Sequence, residues 1–138
     1  MTRSLPACLL LAAMLGGCST APSVDAQRDA DAAANLAAAQ ALAATAPPEG
    51  EPLAPWLSAE RARIEAARSA ANQRFVDEEM ACWRRFAVNA CVRDARVQRR
   101  AVLDRLRQED LAINQLERKR LADARLRQIE QKQPGTQP

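Results

Sequence analysis

No glycine occurs between Glu51 and Pro134, and this absence constrains the possible folds more than any other feature of the chain. β-Sandwiches and α/β domains need glycine at their turns, whereas α-helices disfavour it in their interiors. The composition points the same way, because two tryptophans and two phenylalanines among 138 residues cannot organise a deep core. The sequence therefore predicts an all-α protein of extended helices, forming a helical hairpin or coiled coil, with a disordered linker and tail.

The chain divides into segments of different composition. Residues 23–46 are dominated by alanine, with three aspartates near the start, which favours a helix that has almost no apolar stripe. We therefore expect residues 18–46 to form a solvated tether rather than a packed element. Four prolines follow and predict a linker over residues 47–57, since proline interrupts helices. The helical region is expected over residues 58–132 and a disordered tail over residues 133–138.

Two helices are expected within residues 58–132. Ser58 is a suitable N-cap for the first, whose apolar residues recur near helical spacing as far as Phe86, and the second would run from about Ala90 to Ile129. On a helical wheel the second helix has one apolar face, which three charged residues interrupt. The face comprises Cys91, Val92, Ala95, Val102, Leu103, Leu106, Ile113, Leu121 and Ala124, and the interruptions are Arg99, Glu109 and Glu117. Two helices with such narrow apolar faces would pack against each other as an antiparallel hairpin or against a second copy of the chain.

The first 17 residues have the pattern of a secretory signal peptide, with a basic start at Arg3, an apolar run over residues 5–15 and a small-residue end. The run has about half of the roughly 20 residues that cross a bilayer, so a permanent transmembrane helix is not expected. The sequence Leu15-Gly16-Gly17-Cys18 that follows resembles the lipobox of bacterial prolipoproteins.

This resemblance implies cleavage before Cys18, a diacylglyceryl thioether on its sulfur and usually a further acyl chain, such as palmitate, on the new amine. Two or three acyl chains hold a protein firmly to a bilayer, whereas one holds it only marginally. Ser19 stands where an aspartate would imply retention in the inner membrane. The resemblance thus favours an outer-membrane lipoprotein facing the periplasm over an inner-membrane one. The alternative is an ordinary signal peptide followed by an incidental cysteine.

Cys82 and Cys91 are the cysteines that remain outside the leader and the anchor, and one remaining pair in an exported protein favours a disulfide. In a continuous helix nine residues advance about 13.5 Å and rotate by about 180°, whereas a disulfide needs Cα atoms within about 7 Å. A bond within one chain therefore requires a helix break, for which Val88-Asn89 is the candidate. The alternatives are an intermolecular disulfide and two free thiols.

The segment around these cysteines also carries a resemblance. The residues concerned are Cys82, Phe86, Val88, Asn89 and Cys91, followed by Leu106-Arg107-Gln108-Glu109 in an arginine-rich helix. This pattern resembles that of small proteobacterial lipoproteins and membrane-associated proteins that have a cysteine pair at this separation. The resemblance covers roughly residues 78–130 and implies no particular activity.

Basic residues are concentrated towards the C-terminus, where residues 58–138 contain 18 basic and 12 acidic side chains. On the helical wheel Arg93, Arg96, Arg100 and Arg107 fall within about 60° of one another beside the apolar face. Because the arginine fork suits phosphate and carboxylate, this stripe predicts a surface that binds anionic envelope material, such as lipid headgroups, lipopolysaccharide phosphates, peptidoglycan or an acidic protein. The alternative is a solvated face whose arginine stems cover apolar neighbours. Nucleic acid would fit the charge but not the compartment.

No enzyme is expected. The chain has no histidine, hence no usual acid–base relay and no cysteine/histidine metal cluster, and it contains neither a nucleophile elbow nor a phosphate-binding glycine loop. We therefore predict no catalytic residue, no metal and no cofactor apart from the lipid on Cys18.

The sequence predicts instead a membrane-anchored periplasmic lipoprotein that acts as a structural or accessory interaction protein of the cell envelope. Its partners would be the membrane, through the anchor, and an envelope protein, peptidoglycan or anionic lipid. The alternatives are a self-assembling coiled-coil oligomer with a mechanical role and a binder of anionic polymers that uses the arginine stripe.

Overall fold

The computed structural model describes residues 23–132, and this range contains three α-helices and no β-strand. Helix α1 is Val24–Ala43, α2 is Ala54–Cys82 and α3 is Val88–Lys132. The predicted all-α fold is confirmed. The predicted signal segment, the lipidation site Cys18 and the tail 133–138 lie outside the described residues.

The chain divides after Ala30 into two compact units, and α1 spans the division. In the first unit Ser23 caps the helix, because its Oγ accepts a hydrogen bond from the backbone N–H of Ala26 at 3.1 Å. In the second unit Ala39 of α1 is buried and Leu42 contacts the hydrophobic core. The expectation of a solvated tether is therefore wrong for the last turns of α1, which bury apolar area against their neighbours.

Helices α2 and α3 form an antiparallel hairpin within the second unit. Its core contains Leu57 and Ile64 of α2 together with Leu106 and Ile113 of α3. Along α3 a row of buried and half-buried residues alternates at spacings of three and four, which is the spacing of a coiled-coil seam. The row consists of Val92, Ala95, Arg99, Val102, Leu106, Glu109, Ile113 and Leu116. The predicted apolar face of the second helix is thus largely covered by α2 of the same chain.

Close ion pairs between α2 and α3 fix how the hairpin is aligned. Three of them are 3.2 Å or shorter, and in each the arginine is on α2 and the carboxylate on α3. They are Arg61–Glu117 at 2.6 Å, Arg63–Glu109 at 2.7 Å and Arg68–Asp110 at 3.2 Å. Glu109 is buried, whereas its partner Arg63 and both members of the Arg61–Glu117 pair are partly exposed. Ion pairs that water still reaches add little stability, but they select the register and direction of a helix pair.

Helix α2 begins at Ala54, four residues before the predicted N-cap Ser58. Pro55 lies in the first turn, where its missing N–H has no partner to lose and its fixed φ suits a helix. The residue at the N-cap position is Leu53, which makes no side-chain capping hydrogen bond. The proline that was expected to extend the linker therefore belongs to the helix.

The linker between α1 and α2 follows a path set by turns rather than the disordered one that was expected. Gly50 has a positive φ of 99°, a conformation that side chains with a Cβ rarely adopt, and Glu51 N–H donates to the carbonyl of Pro48 at 3.3 Å. Helix α3 also contacts the linker: the Arg120 guanidinium donates a hydrogen bond to the carbonyl oxygen of Pro47 at 2.7 Å.

Candidate binding surface at the tip of the hairpin

The tip of the hairpin is closed by a disulfide within the chain. Cys82, the last residue of α2, is bonded to Cys91 in the first turn of α3, and their Cα atoms are 5.6 Å apart. The chain must therefore leave helical geometry between them, and it does so at residues 83–87. The candidate break at Val88-Asn89 is wrong, because both residues belong to α3. The break lies earlier, where the N–H of Arg85 donates to the carbonyl of Cys82 at 2.9 Å in a tight turn.

The turn exposes two large aromatic side chains. Trp83 is 69% exposed and Phe86 is fully exposed. Met80 and Val76 are also exposed, and they precede Trp83 by three and seven residues, so they lie on the same outer face of α2. We call these four residues, Val76, Met80, Trp83 and Phe86, the apolar ridge. The apolar periodicity that placed Phe86 inside the first helix is wrong at this residue, since α2 ends at Cys82.

The tip is also purely cationic. From residue 80 to residue 93 the chain contains three arginines and no acidic residue. Arg84 and Arg85 lie in the turn between the two aromatic residues, are exposed, and form no ion pair with any residue of the range 23–132. Arg93 contacts its neighbour Asp94 at 3.6 Å, with both side chains largely exposed, and such a pair is weak. Guanidinium groups at the tip are thus free to bind an anion.

The predicted arginine stripe is only partly assembled. Arg93, Arg100 and Arg107 succeed one another at intervals of seven residues, so they form an exposed row on α3 with a spacing of about 10.5 Å. Arg96 does not belong to this row, because it lies at the edge facing α2, where its guanidinium is 3.9 Å from the Glu79 carboxylate. The row begins next to the tip and continues its positive charge along α3.

The charged residues that interrupt the predicted apolar face have partners on α2. Arg63 donates hydrogen bonds to Glu109 at 2.7 Å and to Glu60 at 2.6 Å, and these two carboxylates raise the pKa of Arg63, with Glu109 the larger cause. Arg99 lies over the ring of Phe75, with its guanidinium carbon 4.4 Å from the ring centroid. These contacts hold the two helices together and leave the anion-binding capacity to the exposed arginines.

A cleft of about 320 Å³ lies beside the disulfide. Its polar lining includes Glu78, Asp94 and Arg85, and Cys82 and Cys91 form part of its wall. Within residues 23–132 no group of three or more cysteine, aspartate or glutamate side chains is arranged to hold a metal ion. In the same range no helix combines the length and the apolar character needed to cross a bilayer.

Trp83 and Phe86 were not predicted from the sequence as residues of a binding surface. A local feature of the sequence could have indicated them. Trp83-Arg84-Arg85-Phe86 lies between Cys82 and Cys91, and a disulfide between these cysteines requires the helix to break within the segment that separates them. Comparison of the chain with protein-family models, with curated proteins and with solved structures gives no match.

Proposed function

We propose that this chain is a lipid-anchored protein of the bacterial envelope that works by binding rather than by catalysis, as a structural or accessory protein facing the periplasm from the outer membrane. The observation that carries the binding role is the tip of the hairpin, where two aromatic side chains are exposed on a turn that a disulfide closes. Exposed aromatic and arginine side chains are the residue types that dominate binding surfaces.

The envelope location is supported by two features that are independent of each other. The first is the lipobox-like sequence Leu15-Gly16-Gly17-Cys18 behind an apolar leader. The second is the disulfide between Cys82 and Cys91, because disulfides persist in the periplasm and are rare in the cytosol. The anchor would confine the protein to a membrane surface, and the hairpin would present the tip to a partner there.

The anchor is tested by the variant Cys18→Ser, with Cys8→Ser as the matched control, because Cys8 lies inside the apolar leader. Cells that express each variant are labelled with a palmitate analogue. We expect label on the wild type and on Cys8→Ser and none on Cys18→Ser, which would also keep its leader and migrate more slowly on a denaturing gel. Equal labelling of Cys18→Ser and the wild type would contradict the proposed anchor.

The binding role is tested by chemical crosslinking in intact cells followed by purification from envelope fractions. A double variant, Trp83→Ser with Phe86→Ser, should lose crosslinked products that the wild type retains. A pair on α1, Val24→Ser with Leu36→Ser, is the control, because these residues are exposed to a comparable degree. Loss of the same products from both double variants, or from neither, would argue against a binding role for the tip.

A second candidate function is self-assembly, and it is favoured by the C-terminal part of α3. Since Cys82 pairs with Cys91 and α2 starts at Ala54, α3 extends beyond the start of α2 by about 13 residues, or roughly 20 Å. This extension exposes Leu121, Leu126 and Ile129. Analytical ultracentrifugation of the unlipidated chain separates the candidates, because self-assembly requires an oligomer that Leu126→Ser with Ile129→Ser dissociates, whereas an accessory binder is a monomer.

A further inference from the structure

We infer that the tip of the hairpin binds the headgroup region of an anionic lipid bilayer, with Trp83 and Phe86 entering the interface and Arg84, Arg85 and Arg93 contacting lipid phosphates. The inference deepens the proposed function by naming the partner of the tip. It rests on that function only in placing the protein at a membrane, because the binding itself needs no acyl anchor.

All four residues of the apolar ridge are exposed. Within the described residues, Phe86 is the most exposed large hydrophobic side chain, and Trp83, Met80 and Val76 continue the apolar surface along α2. Tryptophan is favoured at a membrane interface because its ring system is apolar but carries a polar N–H, and the apolar ring of phenylalanine gains from leaving water. Moving either ring from water into the interface should strengthen binding by about tenfold or more.

The positive charge of the tip complements the negative charge of an anionic leaflet. No acidic residue occurs from position 80 to position 93, and of the three arginines there only Arg93 has an ion-pair partner within the described residues, the exposed Asp94 at 3.6 Å. An anionic leaflet attracts each nearby arginine enough to change affinity by roughly fivefold, and the attraction decays within a Debye length. Arg100 and Arg107 continue the positive charge along α3, so a hairpin that meets the surface at an angle gains further contacts.

The shape of the tip favours a bilayer over a protein partner. Trp83 and Phe86 project from an exposed turn, and neither lines the cleft beside the disulfide, whose polar lining includes Glu78 and Asp94. A protein partner would have to supply a pocket for the fully exposed Phe86, whereas a bilayer accepts a projecting ring without a preformed pocket. The disulfide already restricts the turn, so insertion has little further ordering cost.

The experiment uses the oxidised, unlipidated chain of residues 19–138, which contains every described residue. Binding is measured by co-sedimentation with vesicles of phosphatidylethanolamine and phosphatidylglycerol, and with vesicles of phosphatidylcholine alone. Insertion is measured in a Trp56→Phe background, where Trp83 is the single tryptophan and its fluorescence should shift to the blue and be quenched by brominated acyl chains. Inorganic phosphate is added as a competitor to separate a lipid interface from a simple phosphate site.

We expect the wild type to bind the anionic vesicles, to bind phosphatidylcholine at least tenfold more weakly, and to resist competition by phosphate. Trp83→Ser with Phe86→Ser should lower the partition coefficient by about a hundredfold, and Arg84→Gln with Arg85→Gln by about tenfold to thirtyfold together with a smaller salt dependence. The matched controls are Val24→Ser with Leu36→Ser on α1 and Arg118→Gln with Arg125→Gln on α3, which should bind as the wild type does. Circular dichroism checks that every variant keeps its helices.

Three outcomes would overturn the inference. The wild type could fail to bind anionic vesicles, the tip variants could bind as well as the matched controls, or binding could occur without a blue shift and quenching of Trp83. The second or third outcome with normal palmitate labelling at Cys18 would refute the lipid-binding tip and leave the anchored protein standing. Absence of labelling together with vesicle binding that depends on Trp83 and Phe86 would refute the anchor and leave the lipid-binding tip standing.

Discussion

Removal of the disulfide should destabilise the hairpin strongly. Cys82 and Cys91 close a loop of about ten residues at the only connection between α2 and α3. The loss of loop-closure entropy in the unfolded chain is then worth about 2.7 kcal/mol at 25 °C. This is a large share of the stability of a domain whose core is one buried cluster of four aliphatic side chains. For a chain of this length the change corresponds to a fall in Tm of roughly 10 °C.

The double variant Cys82→Ala with Cys91→Ala tests this expectation better than serine would, because Cys82 is 1% exposed and a hydroxyl there would be buried. Urea denaturation followed by circular dichroism gives the free energy of unfolding of the variant, of the oxidised wild type and of the wild type in reductant. The variant and the reduced wild type should agree with each other and lie about 2–3 kcal/mol below the oxidised protein. A difference under about 1 kcal/mol would refute the loop-entropy reasoning, and a stable reduced wild type with an unstable variant would show that side-chain packing is the cause.

Three further changes probe the core, the linker and the charged seam, each measured as a free energy of unfolding. Ile113→Ala removes the most deeply buried side chain of the core and should cost about 2–5 kcal/mol, whereas Leu126→Ala, on the exposed end of α3, should change stability by less than about 0.5 kcal/mol. Gly50→Ala introduces a Cβ that meets no neighbouring atom but sits on a backbone with φ of 99°, so a loss of about 1 kcal/mol is expected, and no loss would contradict that backbone conformation. Glu109→Leu removes the ion pair with Arg63, whose side chain is 46% exposed and can return to water, and it extends the apolar seam between Leu106 and Ile113. The free energy of unfolding should therefore rise by about 1 kcal/mol. A fall of more than about 2 kcal/mol would show that Arg63 depends on this carboxylate.

The helical content and the approximate extent of the helices could be predicted because their causes are local. Alanine-rich composition, missing glycines and the apolar period all act within one or two turns of the chain. Boundaries were less predictable. A proline such as Pro55 is compatible both with a linker and with the first turn of a helix, so its type alone does not decide between them. In the structure it lies in the first turn of α2, and Leu57, two residues later, belongs to the core.

The candidate site was predicted in part. The need for a break between Cys82 and Cys91 followed from helix geometry, but its place at residues 83–87 depends on how α2 and α3 must approach to bond the two sulfurs. Arg93, Arg100 and Arg107 share a face on any helical wheel. Arg96 shares that face too, and only the position of Glu79 across the hairpin separates it from the row.

The sequence by itself determined that this chain is helical, where its charge is concentrated and which residues carry the features of an anchor and of a disulfide. These properties depend on residue type and on spacing along one chain. Tertiary structure alone decided that Glu109 and Glu117 face arginines of α2, and that Trp83 and Phe86 are exposed rather than buried. Exposure and ion pairing are set by what lies opposite a side chain across the hairpin, and the register of two helices with many weak contacts is a collective property that no single segment encodes.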